Sequence, residues 1–294
     1  MKSLGDAIKS GRLKRNMTQQ ELAEGICTQA TISNIEKAGK LPAINLLLAI
    51  ADRLDIEIEE FYYLIGENTT ENGKIMKRVK LLCSQSKHKE ATVLLKEINE
   101  VELESVSEKK EFYYYKGITS LIASNNFSDA LFYFNLSNDI YEEDYTSIYD
   151  VLALSGISIV YSMHEEDDKA LVYTDRTLQL LDEFVAEGYE KKDTNDIVRI
   201  YFNSAKIYSK TKKYEKAVSL SSMGISLQQL NDSMNGLEHL MYEKAYNLQQ
   251  LEQVSEAEKF YFYAAAMAMI NKNNEMSKTI SSDMELYKVS HFMY

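Results

Sequence analysis

The sequence has little of what β-rich folds and membrane spans need. Its 294 residues include one proline, 11 glycines and no tryptophan. Turns between strands use proline and glycine heavily, so their scarcity predicts an all-α chain. Apolar runs are short, and the N-terminus lacks the apolar core of a signal peptide. We therefore expect no membrane partner and a cytoplasmic location.

Residues that carry enzyme chemistry are equally scarce. Cys27 and Cys83 are the only cysteines, and both lie in apolar helical patterns, which predicts buried thiols rather than a disulfide. No glycine-rich phosphate loop, serine-hydrolase motif or zinc-protease motif is present. The four histidines are far apart, and the acidic run after His164 cannot converge on one ion from a helix. We expect a protein that is not an enzyme and that uses no metal or cofactor.

The charges are unevenly distributed along the chain. The formal net charge is -12, yet residues 1–40 contain seven basic and four acidic residues. This asymmetry fits a nucleic-acid-binding head on an acidic body, although so small an excess could also arise by chance.

The N-terminal segment has the pattern of several short helices. Thr18 and Glu21 have the spacing of a capping box at the start of a short second helix. Thr28 then caps a third helix that runs to about Lys37, and residues 43–54 form a fourth. Two short helices joined by a tight turn are the helix-turn-helix arrangement, which reads DNA.

The residues of this segment closely resemble the helix-turn-helix of the phage-repressor and Cro family. The similarity lies in Thr18-Gln19-Gln20-Glu21-Leu22-Ala23, in the run from Thr28 to Glu36, and in the Gly39-Lys40 and Pro42 that follow. It covers roughly residues 3–65 and implies a small five-helix DNA-binding domain.

The third helix would be the recognition helix, whose first turns face the bases in the major groove. Gln29 can pair with an adenine, Ala30 can pack on a thymine methyl, and Asn34 offers a second amide. Thr31 and Ser33 are short enough to let the helix approach closely. Gln29 and Asn34 could instead be solvated polar residues.

The resemblance implies roles for four more residues. Gln19 would bond a phosphate and fix the docking angle, and Thr28 would do likewise. Arg12 and Glu36 occupy positions that form a largely buried ion pair in the family, and we expect this pair to be structural.

A degenerate repeat occupies the remaining chain. Five alanines, each at the end of a similar tetrad, lie 39, 40, 47 and 40 residues apart: Ala91, Ala130, Ala170, Ala217 and Ala257. Small residues precede four of them: Gly117, Gly156, Ala205 and Ala245. The pattern resembles the tetratricopeptide repeat, with a period nearer forty than about thirty-four residues. Such helix pairs stack into a right-handed superhelix with a concave face, and we expect an extended loop over residues 187–196.

The concave face is a candidate peptide site. The chain has 21 tyrosines, most of which we expect to pack between helices. Asn203, Lys206, Tyr242 and Asn247 lie on predicted first helices, which face inward in such arrays, and Tyr161 is a further candidate. Asparagine can pair with both the N–H and the C=O of a peptide backbone.

The whole chain resembles the quorum-sensing regulators of Gram-positive bacteria that bind re-imported signalling peptides, most nearly the PlcR-like branch. Local matches include Phe61-Tyr62, Leu81-Leu82-Cys83, Val198-Arg199 and the run from Asn203 to Lys206. The resemblance implies a homodimer that binds a short signalling peptide in its repeats and double-stranded DNA with its heads. It predicts a DNA-binding domain over 1–65, a linker over 66–77, and a peptide-sensing and dimerisation domain over 78–294.

Two other interpretations stay open from the sequence. The repeats could grip another protein, which would make the chain an adaptor. Alternatively, they could serve only to dimerise a constitutive repressor that has no peptide ligand.

Overall fold

The computed structural model describes residues 4–38, 44–54, 56, 70–103, 105–140 and 146–289. Within these ranges α-helices and short 3-10 turns are the regular structure, which confirms the predicted all-α fold. The chain divides into two compact units, residues 1–103 and 104–294.

The first unit begins with four short helices. These are α1 (Leu4–Lys14), α2 (Gln19–Ala23), α3 (Gln29–Ala38) and α4 (Ile44–Leu54). The predicted capping box is present: the N–H of Glu21 donates to the Thr18 hydroxyl, and the Glu21 carboxylate accepts from the N–H of Thr18. The four helices enclose a core that includes Ile8, Leu22, Ile32, Ile50 and Leu54. A fifth helix of this domain would fall after Leu54, outside the described residues.

The first unit also contains a pair of packed helices, α5 (Glu71–Ser84) and α6 (His88–Leu95), followed by a 3-10 turn over Glu100–Glu102. Of the predicted linker, residues 66–69 lie outside the described residues, and 71–77 form the first turns of α5. The domain division stays a prediction. Cys27 and Cys83, both within the described ranges, carry reduced thiols that are only partly buried, and burial raises the pKa of Cys27.

Nine helices and one 3-10 turn are described in the second unit. They are α7 (Val106–Ser124), α8 (Phe127–Asp139), α9 (Ile148–Met163), α10 (Asp167–Glu187), the 3-10 turn Lys191–Asp193, α11 (Thr194–Lys210), α12 (Tyr214–Leu230), α13 (Leu237–Gln250), α14 (Val254–Ile270) and α15 (Asn274–Leu286). The extended loop expected over 187–196 is shorter than predicted, because α10 runs to Glu187 and α11 already begins at Thr194.

The second unit is an array of helix pairs. Each helix packs against the next, and α7, α9, α11, α13 and α15 also contact one another in that order. This arrangement places α7, α9, α11 and α13 in one layer as the first helices of the pairs. The predicted repeat therefore corresponds to the observed pairs.

The repeated alanines occupy one structural position. Each lies near the start of the second helix of a pair, and all five are fully buried: Ala91, Ala130, Ala170, Ala217 and Ala257. A residue in the left-handed region precedes each alanine by five positions: Ser86, Asn125, Glu165, Lys212 and Glu252. In four of these turns the next N–H donates to the carbonyl five residues earlier, as the N–H of Lys213 does to Tyr208 at 2.8 Å. Each repeat thus has a turn with a left-handed residue between its two helices and a buried alanine near the start of the second helix.

Two glycines, Gly117 and Gly156, allow α7, α8 and α9 to pack closely. The Phe134 ring on α8 is fully buried, between Gly117 on α7 and Gly156 on α9. A Cβ atom at either glycine would lie 2.5 Å from the ring. Because the ring is confined on both sides, it cannot move away from one glycine without approaching the other.

We expect Gly156→Ala to destabilise the chain by about 1–3 kcal/mol, because overpacking outweighs the gain in helix propensity of about 1 kcal/mol. The urea midpoint followed by circular dichroism measures this change. Ser226→Ala on the exposed face of α12 is the control. Adding Phe134→Leu should recover part of the loss, and equal midpoints for Gly156→Ala and the control would contradict the packing argument.

Candidate nucleic-acid interface and peptide groove

The third helix presents polar side chains outward and apolar ones inward. Gln29, Ala30 and Asn34 are exposed, while Ile32 and Ile35 are buried in the core at 0% and 3% exposure. This alternation follows the helical period, so the core contacts fix which face of α3 is free. The exposed face is the one the sequence predicts for base contacts.

The predicted DNA contacts with short side chains, Thr28, Thr31 and Ser33, lie beside this face. Thr28 precedes α3 and is exposed, and its hydroxyl lies 2.9 Å from that of Thr31. The N–H of Thr31 also donates to the Thr28 hydroxyl, so Thr28 caps the helix as predicted. Thr31 and Ser33 are partly exposed. These base and phosphate contacts stay predictions.

A chain of hydrogen bonds joins α1, α2 and α3 of the head. The Arg12 guanidinium donates to both Glu36 carboxylate oxygens, at 2.7 and 3.0 Å, and to the Met17 carbonyl at 2.7 Å. The expected ion pair is thus present, with side chains 10% and 2% exposed. The Gln19 amide donates to Glu36 at 2.8 Å and accepts from Gln29 at 2.7 Å. Gln19 and Gln29 are therefore held in defined positions at the edge of the exposed face.

Opposing effects set the charge of Glu36. Burial works to raise its pKa, but the hydrogen bonds from Arg12 and Gln19 and the charge of Arg12 outweigh it and lower the pKa below its usual value. Glu36 is consequently ionised at neutral pH, as the bidentate pair requires.

Sequence reasoning missed the residue that closes the short second helix. Arg53 on α4 donates to the carbonyl oxygens of Glu21, Leu22 and Glu24. These carbonyls end α2 and lack helical partners, so a cation there satisfies them and complements the helix dipole. Only the basic residue in the last turn of α4 could have suggested this contact.

Two predicted peptide contacts lie on α11. Asn203 is partly exposed, and Lys206 is exposed with its ammonium 5.6 Å from the Phe202 ring centroid. Both residues belong to a first helix of the array, as predicted. Lys206 also lies close enough to the buried Glu243 on α13 to oppose the rise in its pKa that burial causes.

The predictions on α13 have different outcomes. Tyr242 is partly exposed, and its hydroxyl donates to Asp283 on α15 at 2.8 Å. Asn247 is fully buried and its amide donates to the Glu243 carbonyl and carboxylate at 2.7 and 3.0 Å. A direct ligand contact by Asn247 does not fit this structure, because its side chain holds Glu243 inside the helix layer.

Tyr161 packs between the helices of one pair. Its ring stacks on Tyr173 with centroids 5.4 Å apart, and the Lys169 ammonium lies 5.1 Å from its centroid. This partly exposed stack joins α9 to α10, which is the packing role that the sequence suggests for most tyrosines.

In the part of the chain that the structure describes, no cluster of three or more metal-ligating side chains occurs. None of the helices described there is long and apolar enough to span a bilayer.

The comparisons with known proteins agree with this geometry. Residues 8–61 match the helix-turn-helix family model. No curated protein matches the chain in sequence.

Solved structures share the fold of nearly the whole chain. PlcR of Bacillus thuringiensis, in complex with the peptide PapR7 and DNA, is 20% identical with a TM-score of 0.61, covering 95% of this chain and 99% of its own. Its apo form is 17% identical with a TM-score of 0.61, over 96% and 99%. Apo ComR of Streptococcus vestibularis is 13% identical with a TM-score of 0.53, over 97% and 98%.

The fold and the head define a class: the chain has a helix-turn-helix domain followed by a tetratricopeptide-like array of helix pairs. Its fold is that of PlcR.

We expect Glu36→Gln to destabilise the head by about 3 kcal/mol at pH 7, because it leaves Arg12 buried without its counter-charge. Hydrogen–deuterium exchange of α1 and α3 amides in the full chain should accelerate about a hundredfold. Glu24→Gln, at an exposed head position, is the control and should change little.

The effect should depend on pH with a defined sign. Glu36 has a lowered pKa in the folded chain, so its stabilisation is complete above the unfolded value of about 4.3 and is lost as pH falls through the folded value. The difference between wild type and Glu36→Gln should therefore shrink below about pH 4. A difference that is constant down to pH 3 would contradict this origin.

Proposed function

We propose that this chain regulates transcription by binding DNA under the control of a short signalling peptide, which lies on the concave face of its repeats. One observation carries the proposal: a single chain joins a helix-turn-helix domain to an array of helix pairs along nearly the full length of PlcR. The solved PlcR complex contains a peptide and DNA. The proposed domain roles are DNA reading by residues 1–65 and peptide sensing by residues 78–294, with 66–77 between them.

The DNA half of the proposal assigns base contacts to Gln29, Ala30 and Asn34. Their exposure on one face of α3, beside the Gln19–Gln29 hydrogen bond, supports this assignment. Gln19, Thr28, Thr31 and Ser33 would contact phosphates or bring the helix close. Amides at two positions of such a helix favour adenine-containing sites.

The peptide half assigns ligand contacts to Asn203, Lys206 and Tyr242. All three lie on first helices and are at least partly exposed. A homodimer would couple the two halves, because two heads on one dimer bind cooperatively only when their spacing matches the DNA half-sites. A peptide that prefers one arrangement of the repeats shifts that spacing by its differential affinity.

We expect Asn34→Ala and Gln29→Ala each to weaken specific DNA binding roughly tenfold to a hundredfold, since each removes an amide contact worth about 1–3 kcal/mol. Fluorescence anisotropy with a DNA site selected from genomic fragments around the gene measures the loss. Asn45→Ala, an exposed amide on α4, is the matched control. Unchanged affinity in both recognition-helix variants would reject the proposed face.

Control by peptide is tested with the full chain and small peptides secreted by the cell. Fluorescence polarisation would follow peptide binding, and the same mixtures would be tested for DNA affinity. We expect a short peptide to bind and change DNA affinity, and Asn203→Ala to weaken both effects. DNA binding that no peptide changes would favour a constitutive dimeric repressor. A stable complex with another protein instead of a peptide would favour the adaptor.

A further inference from the structure

Two turns of the second unit expose large apolar side chains to solvent. Leu230 ends α12 and Ile270 ends α14, and they are 82% and 63% exposed. Met234, in the turn after α12, and Met269, beside Ile270, are 60% and 75% exposed. Contiguous apolar patches are uncommon on the surface of soluble proteins, and large ones mark sites that bind a partner.

The two turns lie side by side. The Asn271 side-chain amide donates to the Met234 carbonyl at 3.3 Å, which joins the turn after α14 to the turn after α12. One helical turn before the exposed helix ends, Leu227 on α12 and Met267 on α14 pack against one buried cluster that includes Leu240. The exposed side chains therefore form one surface, the turn patch, which consists of Leu230, Met234, Met269 and Ile270.

The two turns occupy equivalent positions of successive repeats. Leu230 and Ile270 each lie thirteen residues after a repeated alanine. Two residues later, Asp232 and Lys272 both have a left-handed backbone, with φ of 52° and 54°. At the equivalent position of α10 stands the exposed and charged Glu183, so the repeat itself does not require an apolar residue there. The two turns thus share an apolar end and differ in the sign of the charge that follows it.

We infer that the turn patch is an interface with a second copy of this chain, in which the turn after α12 of one copy lies on the turn after α14 of the other. A twofold axis makes such a contact twice, so Asp232 faces Lys272 of the partner subunit on both sides. Leu230 covers Ile270 of the partner subunit in the same way. The inference rests on the proposed homodimer and adds the surface through which the repeats pair.

Charge favours a second copy over other occupants. The chain carries a net charge of -12, so two copies repel each other over most of their surface. The two turns, residues 230–236 and 269–273, contain one acidic and one basic residue, and the crossed pairing brings these opposite charges together. An anionic lipid surface would require a cluster of basic residues, and Lys272 is the only one in the two turns.

Reversing the two charges tests the pairing directly. Asp232→Lys and Lys272→Asp each place like charges opposite one another at both contacts, so each should weaken the dimer roughly tenfold to a hundredfold. An equimolar mixture of the two variants has opposite charges at both contacts and should form heterodimers about as tightly as wild type. Sedimentation-equilibrium ultracentrifugation of the full chain measures these affinities. The differences should shrink at high salt, which screens exposed charges.

The control for the charge variants is Glu183→Lys, which changes the net charge as Asp232→Lys does but lies outside the patch. Both test substitutions introduce a residue type that already occupies the equivalent left-handed position, so the fold should be unchanged. Circular dichroism and the urea midpoint verify this for each variant.

The apolar part of the interface has its own variant. Leu230→Gln should weaken the dimer roughly tenfold or more, because an apolar side chain that is buried twice in the dimer is lost. Val172→Gln is the matched control, since Val172 is a 54% exposed apolar residue on the second helix α10, outside the patch. It should leave the dimer affinity unchanged.

Weakening by the single variants that the mixture reverses would support the interface. Weakening that the mixture does not reverse would overturn the crossed pairing. A wild-type dimer whose affinity no patch variant changes would also overturn it and leave the proposed function standing, since the chains would then pair elsewhere. A wild-type chain that stays monomeric would overturn the interface and the proposed homodimer and leave the patch to another protein. The DNA and peptide assays above would then decide the rest of the proposed function separately.

Discussion

The stacking of the helix pairs depends on the close approach of α7, α8 and α9 around one aromatic ring. Phe134 has no free volume on either side, since Gly117 and Gly156 leave room for the ring and for nothing more. In a linear array each pair contacts only its neighbours, so the angle at one interface sets the position of every later pair. Any ligand face built from several first helices inherits its geometry from such contacts.

In the head, polar contacts rather than close packing fix the position of the short second helix. Its core is small, and α2 has only five residues, too few to be stable alone. Polar contacts therefore fix its position: Glu21 and Thr18 close one end, and Arg53 closes the other. Glu36 then connects Arg12 to Gln19, and Gln19 to Gln29. The side chains at the edge of the exposed α3 face are thus held in place, and such preorganisation would reduce the entropy lost in the proposed DNA binding.

Local signals in the sequence predicted much of this structure. The Thr18–Glu21 capping box, the repeated alanines and the apolar period of α3 each depend on local sequence patterns, and each is present as expected. Contacts between distant residues carry no such signal. The Arg53 carbonyl contacts and the Lys110–Asp150 pair span 29 to 40 residues, and no local pattern marks them.

Burial was the least predictable property of the proposed peptide site. Asn247 lies on a first helix, yet the helix layer encloses it, whereas Asn203 on α11 remains partly exposed. Whether a side chain is enclosed depends on which face of its helix the neighbouring helices cover. A repeat as degenerate as this one fixes the alanine position in each pair but does not mark that face.

Some tyrosines of the array are bonded to carboxylates on other helices. Three tyrosine hydroxyls donate to a carboxylate on another helix: Tyr149 to Glu111, Tyr208 to Asp175, and Tyr242 to Asp283. Burial and the bonded carboxylate both raise the pKa of each of these tyrosines, so they stay neutral donors. Each such bond joins two helices without burying a second charge.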